Sequence, residues 1–224
     1  MKSLDNKNLE KAYELVFAGD LYEAIELFED FAKQDPEYIL PLMEIASLYY
    51  ILGEMTKCVT TYERVLEKRP DSVFPMYRLG VAHYRSTNFT AAAEMFNKII
   101  ASGKHLPMTY IWLGLSYYHT GREDLSIECY KKLLELSPET TMGNYYLGIA
   151  LKASGKFEEA VPFFKKLIEE NEQHISARYH LGRLYMKTSK FDAAKEQLKE
   201  VVKFDPKNKN ATDLLDYIFD DHKF

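Results

Sequence analysis

The residues that could carry chemistry in this 224-residue chain stand apart from one another. A phosphate-cradling loop needs glycines at fixed offsets ahead of a lysine, whereas the glycines here fall on a long period. No HExxH, CxxC or GxSxG occurs, so metal-hydrolase, thiol-redox and nucleophile-elbow chemistry have no residues to carry them. The six histidines are scattered. His83 takes a place that Tyr49, Tyr117 and Tyr185 fill elsewhere, and reads as a core replacement rather than a ligand. Glu169-Glu170 and Asp220-Asp221 read as solvated helix-end charges, not acid/base pairs. No catalytic constellation is left, and the chain is read as a non-enzyme without metal or cofactor.

What does recur is a spacing. Pro36, Pro70, Pro138 and Pro206 sit 34, 68 and 68 residues apart, all multiples of one unit, and a period in this range means stacked repeats. Units start at Asp5, Ile39, Val73, Pro107, Thr141 and Ile175, with a partial seventh at Lys209. Position 8 then reads Ala12, Ala46, Gly80, Gly114, Gly148 and Gly182, small enough for two helices to cross closely. Position 24 reads Phe28, Tyr62, Phe96, Tyr130, Phe164 and Leu198, large enough to fill the space between hairpins. Position 15 reads Gly19, Gly53, Thr87, Gly121, Gly155 and Ser189, a helix-ending place. Apolar or small residues at positions 4, 7, 8 and 11 make one helical stripe, and those at 17, 20, 21, 24, 27 and 28 make a second. Each unit is therefore two helices. Pro41 and Pro75 fall in first turns, where a missing amide hydrogen costs little, and Pro162 is expected to be tolerated with a slight local distortion. Lys104 and Glu172 stand where the repeat proline is due, and Gly103 is expected to stop a helix in place of the first.

Composition narrows the rest. A hydrophobic content of 46% supports a continuous core, and a net charge of −5 argues against a nucleic-acid binder, whose footprint is basic. The first seven residues hold no apolar run of the secretory kind, and Ile39 to Ile51 is too short to span a bilayer. Cys58 and Cys129 read as two small buried side chains, two units and ~20 Å apart, beyond disulfide reach. Unpaired thiols fit a reducing compartment, so a cytoplasmic location is expected.

The small–small–large–proline columns resemble the tetratricopeptide repeat family from about Asp5 to Phe224. The resemblance implies an all-α, right-handed α-solenoid of six helix-turn-helix units, one domain over 1–224, closed by a capping helix at about 209–221. It also implies that positions 2, 5, 6, 9, 12 and 13 of the first helices line a concave groove. Read onto this chain, those positions supply Tyr50, Tyr77, Tyr84, Trp112, Tyr118, Tyr145, Tyr146 and Tyr179 as aromatic anchors. They supply Arg78, Arg85, Lys152, Arg183 and Lys187 as its basic members from the third unit onward, His119 as a further lining residue, and Glu10 and Glu44 at the other end. About half of these aromatics are expected to pack as core. His119 and His180 fall on the same face, without the further ligands a shared metal needs. The Lys/Asn/Lys/Arg set of the family's carboxylate-clamp members is missing, since position 9 is Tyr13, Ser47 and Val81 in the first three units.

These residues point to an adaptor that holds a segment of a partner protein, with acidic and apolar character, in the groove. The alternatives are a self-assembling scaffold, through end-to-end stacking or insertion of the Phe219–Phe224 tail into a neighbour, and a non-catalytic targeting subunit of a separate enzyme. Neither nucleic acid nor membrane insertion is expected.

Overall fold

The structure is a computed structural model that describes residues 3–220. Among the described residues there are thirteen helices and no strand. They are α1 (Ser3–Ala18), α2 (Leu21–Gln34), α3 (Leu40–Ile51), α4 (Met55–Lys68), α5 (Val73–Arg85), α6 (Phe89–Ala101) and α7 (Pro107–His119). After these come α8 (Glu123–Leu136), α9 (Thr141–Ala153), α10 (Phe157–Glu170), α11 (Ile175–Lys187), α12 (Phe191–Phe204) and α13 (Lys209–Asp220). The period is visible in the helix starts: Val73, Pro107, Thr141, Ile175 and Lys209 are each 34 residues apart, as are Leu21, Met55, Phe89, Glu123, Phe157 and Phe191.

The chain divides into two compact units, Met1–Ser116 and Tyr117–Phe224. In the first, α1 pairs with α2, α3 with α4 and α5 with α6, and successive hairpins pack α2 on α3 and α4 on α5. In the second, α8 packs on α9, α9 pairs with α10, α10 packs on α11, α11 pairs with α12, and α13 covers α12. The position-24 side chains sit in the cores. Phe28, Tyr62 and Phe96 are buried in the first unit, and Tyr130, Phe164 and Leu198 in the second. Each contributes roughly 1.5–3 kcal/mol by leaving water. The small column makes room for them: a Cβ on Gly80 would stand 2.7 Å from Phe96 Cζ, and one on Gly148 would stand 2.9 Å from Phe164 Cζ.

Hairpins close through a left-handed residue at position 15. Gly121 and Gly155 adopt φ of 70° and 78°, and Thr87 and Ser189 take the same region at 60° and 58° without glycine's freedom. Gly103 also turns left-handed, at φ 79°, just after α6 ends at Ala101. α10 continues through Pro162. α13 turns Ala211, Leu215 and Ile218 inward and leaves Asp213 and Asp216 in water. Of the tail expected to enter a neighbour, residues 221–224 lie outside the described residues, as does the side chain of Asp220. Phe219 is exposed, with the Lys195 and Lys199 ammoniums 5.1 and 5.9 Å from its ring centre.

Candidate binding surface

Pairing covers one side of each first helix. On α9 the buried set is Gly143, Asn144, Leu147, Gly148, Ala150 and Leu151, leaving Tyr145, Tyr146, Ile149, Lys152 and Ala153 at least partly uncovered. The same register on α3, α5, α7 and α11 places all fourteen candidate side chains on the uncovered face. Arg85, His119, Arg183 and Lys187 are exposed, and the other ten are half-buried.

In the first unit these side chains interlock across three helices. Trp112 of α7 donates its Nε1–H to the Tyr77 hydroxyl at 2.9 Å and meets the Tyr84 ring edge-on at 5.1 Å, so one indole bridges two turns of α5. Val81 stands between those two tyrosines on α5 and is only 6% exposed. Position 9 there is core rather than lining, and Ile111 is likewise buried at 4%. Arg78 and Arg85, two turns apart on α5, both lie over the Tyr50 ring of α3, at 5.1 and 4.8 Å. Arg78 is held in place because its Nε donates to the Tyr62 hydroxyl at 3.1 Å, and that oxygen is also 3.2 Å from Ser47 Oγ. Tyr62 is a packing residue of α4 whose hydroxyl reaches out to position a surface cation. Toward the N-terminus, Glu44 accepts a hydrogen bond from Tyr13 at 3.0 Å. Burial and then the Glu44 carboxylate push the Tyr13 phenol up to about 12.

In the second unit the centre is His180 of α11. Lys152 Nζ lies 3.2 Å from its Nδ1, and Tyr145 Oη lies 3.4 Å from its Nε2. An ammonium has only donors, so Nδ1 must accept and the ring hydrogen sits on Nε2. Burial, then Lys152, Arg183 and His174, push His180 down to about 4, so the ring is neutral at physiological pH. Burial and the Arg183 charge also lower Lys152. The Arg183 guanidinium lies 5.9 Å from the centre of the Tyr179 ring. Tyr146 meets Tyr145 edge-on at 5.6 Å and stacks on the core ring of Tyr130. Tyr118 and His119 end α7 with their rings edge-to-face at 5.7 Å. Between the first turns of α9 and α11 opens a cleft of about 250 Å³, lined by Thr141, Met142, Tyr145, Tyr146, His174 and Ser176. His174 stacks on Tyr145 and accepts a hydrogen bond from the Ala177 amide at 3.2 Å, which caps α11.

Among the described residues no carboxylate pairs with Arg78, Arg85, Lys152, Arg183 or Lys187. The ion pairs that do form, such as Lys132–Glu135 and Lys156–Asp124, lie on other faces. Nor do the described residues gather three or more His, Cys, Asp or Glu able to hold a metal. Cys58 and Cys129 are free and buried, and burial pushes their thiols up to about 11 and about 12. Among the described residues no helix is long and apolar enough to cross a membrane. The periodic reading missed Tyr62, Met142 and His174. Tyr62 was read only as a packing residue, Met142 stands at lining position 2 but was not singled out, and His174 lies in a turn, outside the lining positions.

Three family models, each described as a tetratricopeptide repeat, match residues 43–107, 107–140 and 151–216. No curated protein matches the chain. Among solved structures, the chain is similar to YrrB, described as a TPR protein with an unusual peptide-binding site, at TM-score 0.74 and 21% identity over 84% of this chain and 96% of that one. It is similar to MamA at TM-score 0.70 and 25% identity, over 77% and 94% of the two chains. It is also similar to PilW, a widely conserved type IV pilus biogenesis factor, at TM-score 0.74 and 19% identity over 96% and 100%.

Proposed function

The chain belongs to the tetratricopeptide repeat family, and from that premise we propose that its uncovered first-helix face binds a segment of a partner protein carrying acidic and apolar residues. One observation carries the chemistry. In a chain of net charge −5, Arg78, Arg85 and Arg183 lie over tyrosine rings and Lys152 lies beside the His180 ring, and among the described residues none of the four, nor Lys187, has a carboxylate partner. An unpaired cation beside an aromatic surface is open to a partner's carboxylate, and Tyr and Trp supply contact area at low entropic cost. The hydrogen bonds from Trp112 to Tyr77 and from Arg78 to Tyr62 support this reading, because they hold the anchors before a partner arrives. Peptide binding named for YrrB agrees with it. The two buried, unpaired thiols fit a reducing compartment such as the cytoplasm.

The test is affinity capture, identification of the partner by mass spectrometry, and calorimetry on the purified pair. Trp112→Ala with Arg85→Glu should weaken binding by about 2 kcal/mol or more. Unchanged affinity in a double variant with native circular dichroism rejects the reading.

A further inference from the structure

The cleft and the unpaired cations of the second unit share a wall. Tyr145 lines the cleft with its ring and turns its hydroxyl toward His180, which in turn holds the Lys152 ammonium. At about 250 Å³ the cleft falls just under the ~300–1,000 Å³ of small-molecule sites, the size for one large apolar side chain rather than a metabolite. Lys152 is half-buried and spends one donor on His180, and Arg183 follows that histidine by one turn of α11, close enough for its charge to lower Lys152. Two neighbouring cations without a carboxylate repel each other, and an incoming anion relieves that repulsion.

Resting on the proposed function above, we propose that α9 and α11 form a bipartite site for an extended partner segment, its apolar side chain in the Met142–Tyr145–His174 cleft and its Asp or Glu carboxylate on Lys152 and Arg183. The geometry sets the spacing. Tyr145 and Met142 precede Lys152 by seven and ten residues of helix, a rise of about 10–15 Å. An extended chain covers about 3.3 Å per residue, so the two ligand residues stand about three to five positions apart. A single side-chain cleft favours an extended ligand, because a bound helix presents a row of three or four anchors.

The experiment titrates the whole isotope-labelled chain by NMR with capped dodecapeptides of glycine and serine that carry one phenylalanine and one glutamate. The two residues are placed adjacent, about four positions apart, or about nine apart. The middle spacing should bind at least about fivefold more tightly than the other two, and should shift the His180 ring and the Met142 methyl together. Lys152→Met should lose about fivefold, while Lys165→Gln, on α10, should lose nothing. If Lys152→Met does not fold, Arg183→Gln, at an exposed position, gives the same reading. Equal affinity at all spacings, or no loss in either cation variant, overturns the bipartite site. Shifts confined to α3 and α5 overturn it as well, but leave binding on the first helices standing. Shifts on no first helix of either unit overturn both.

Discussion

The neutral state of His180 should be visible in the stability of the protein. The ring is walled by Lys152 and Tyr145 from α9, Arg183 from its own helix, His174 from the preceding turn and the Phe164 ring from α10. No carboxylate is among the groups that shift it. Its value falls from 6.5 to about 4 on folding, chiefly through burial. The sign follows directly. Above pH 6.5 both states are neutral and the full stability is present; as pH falls toward 4, the unfolded chain takes a proton that the native chain refuses, and stability is lost. At 1.36 kcal/mol per pH unit the whole effect is at most roughly 3 kcal/mol, and partial access of water to the ring cuts it to about 1–2 kcal/mol. Urea unfolding of the wild type and of His180→Gln, from neutral pH to about pH 4.5, isolates this contribution as the difference between two curves. The wild type should lose about 1–2 kcal/mol more than the variant across that window. Ring NMR supplies an independent reading, and Lys152→Met should raise the His180 value while burial still holds it below 6.5. Parallel curves, together with a ring that titrates at its ordinary value, refute the reasoning.

Two further predictions concern the hairpins. Thr87 holds a β-branched side chain at φ 60° where Gly121 stands at 70°, so Thr87→Gly should raise stability by about 0.5–1 kcal/mol, the relief of left-handed strain less the entropy glycine adds to the unfolded chain. A fall in urea midpoint contradicts it. Gly148→Val should cost about 2–3 kcal/mol, since its Cβ would stand 2.9 Å from two carbons of the fully buried Phe164 ring; a thermal midpoint unchanged from wild type would show that the ring yields freely.

The repeat was legible because its constraints are periodic. A crossing point must be small, as at Gly80 and Gly148, and the ring opposite must be large, as at Phe96 and Phe164. Turn residues must go left-handed, as Gly121 and Gly155 do. Those demands return every 34 residues, so helix starts such as Val73 and Thr141 can be read from them. The proposed binding face was legible only in composition. Which lining positions stay uncovered differs between units: Val81, between Tyr77 and Tyr84 on α5, is buried, whereas Ser47, at the same position one unit earlier, stays half-buried. The hydroxyl of Tyr62 and the ring of His174 act across helices, through side-chain reach that no repeat position encodes. His180 was read onto a first-helix face, but its bond to Lys152 appears only in three dimensions.

Site-specific photo-crosslinking to the captured partner tests the uncovered first-helix face most directly. Ile51 and Ala153 are exposed first-helix positions that carry no charge, and Lys98 and Lys165 are exposed positions on the paired second helices. A photoreactive residue at 51 or 153 should give a covalent adduct with the partner, and one at 98 or 165 should give none. Adducts from 98 or 165 with silence at 51 and 153 would place the partner on the opposite face and contradict the account.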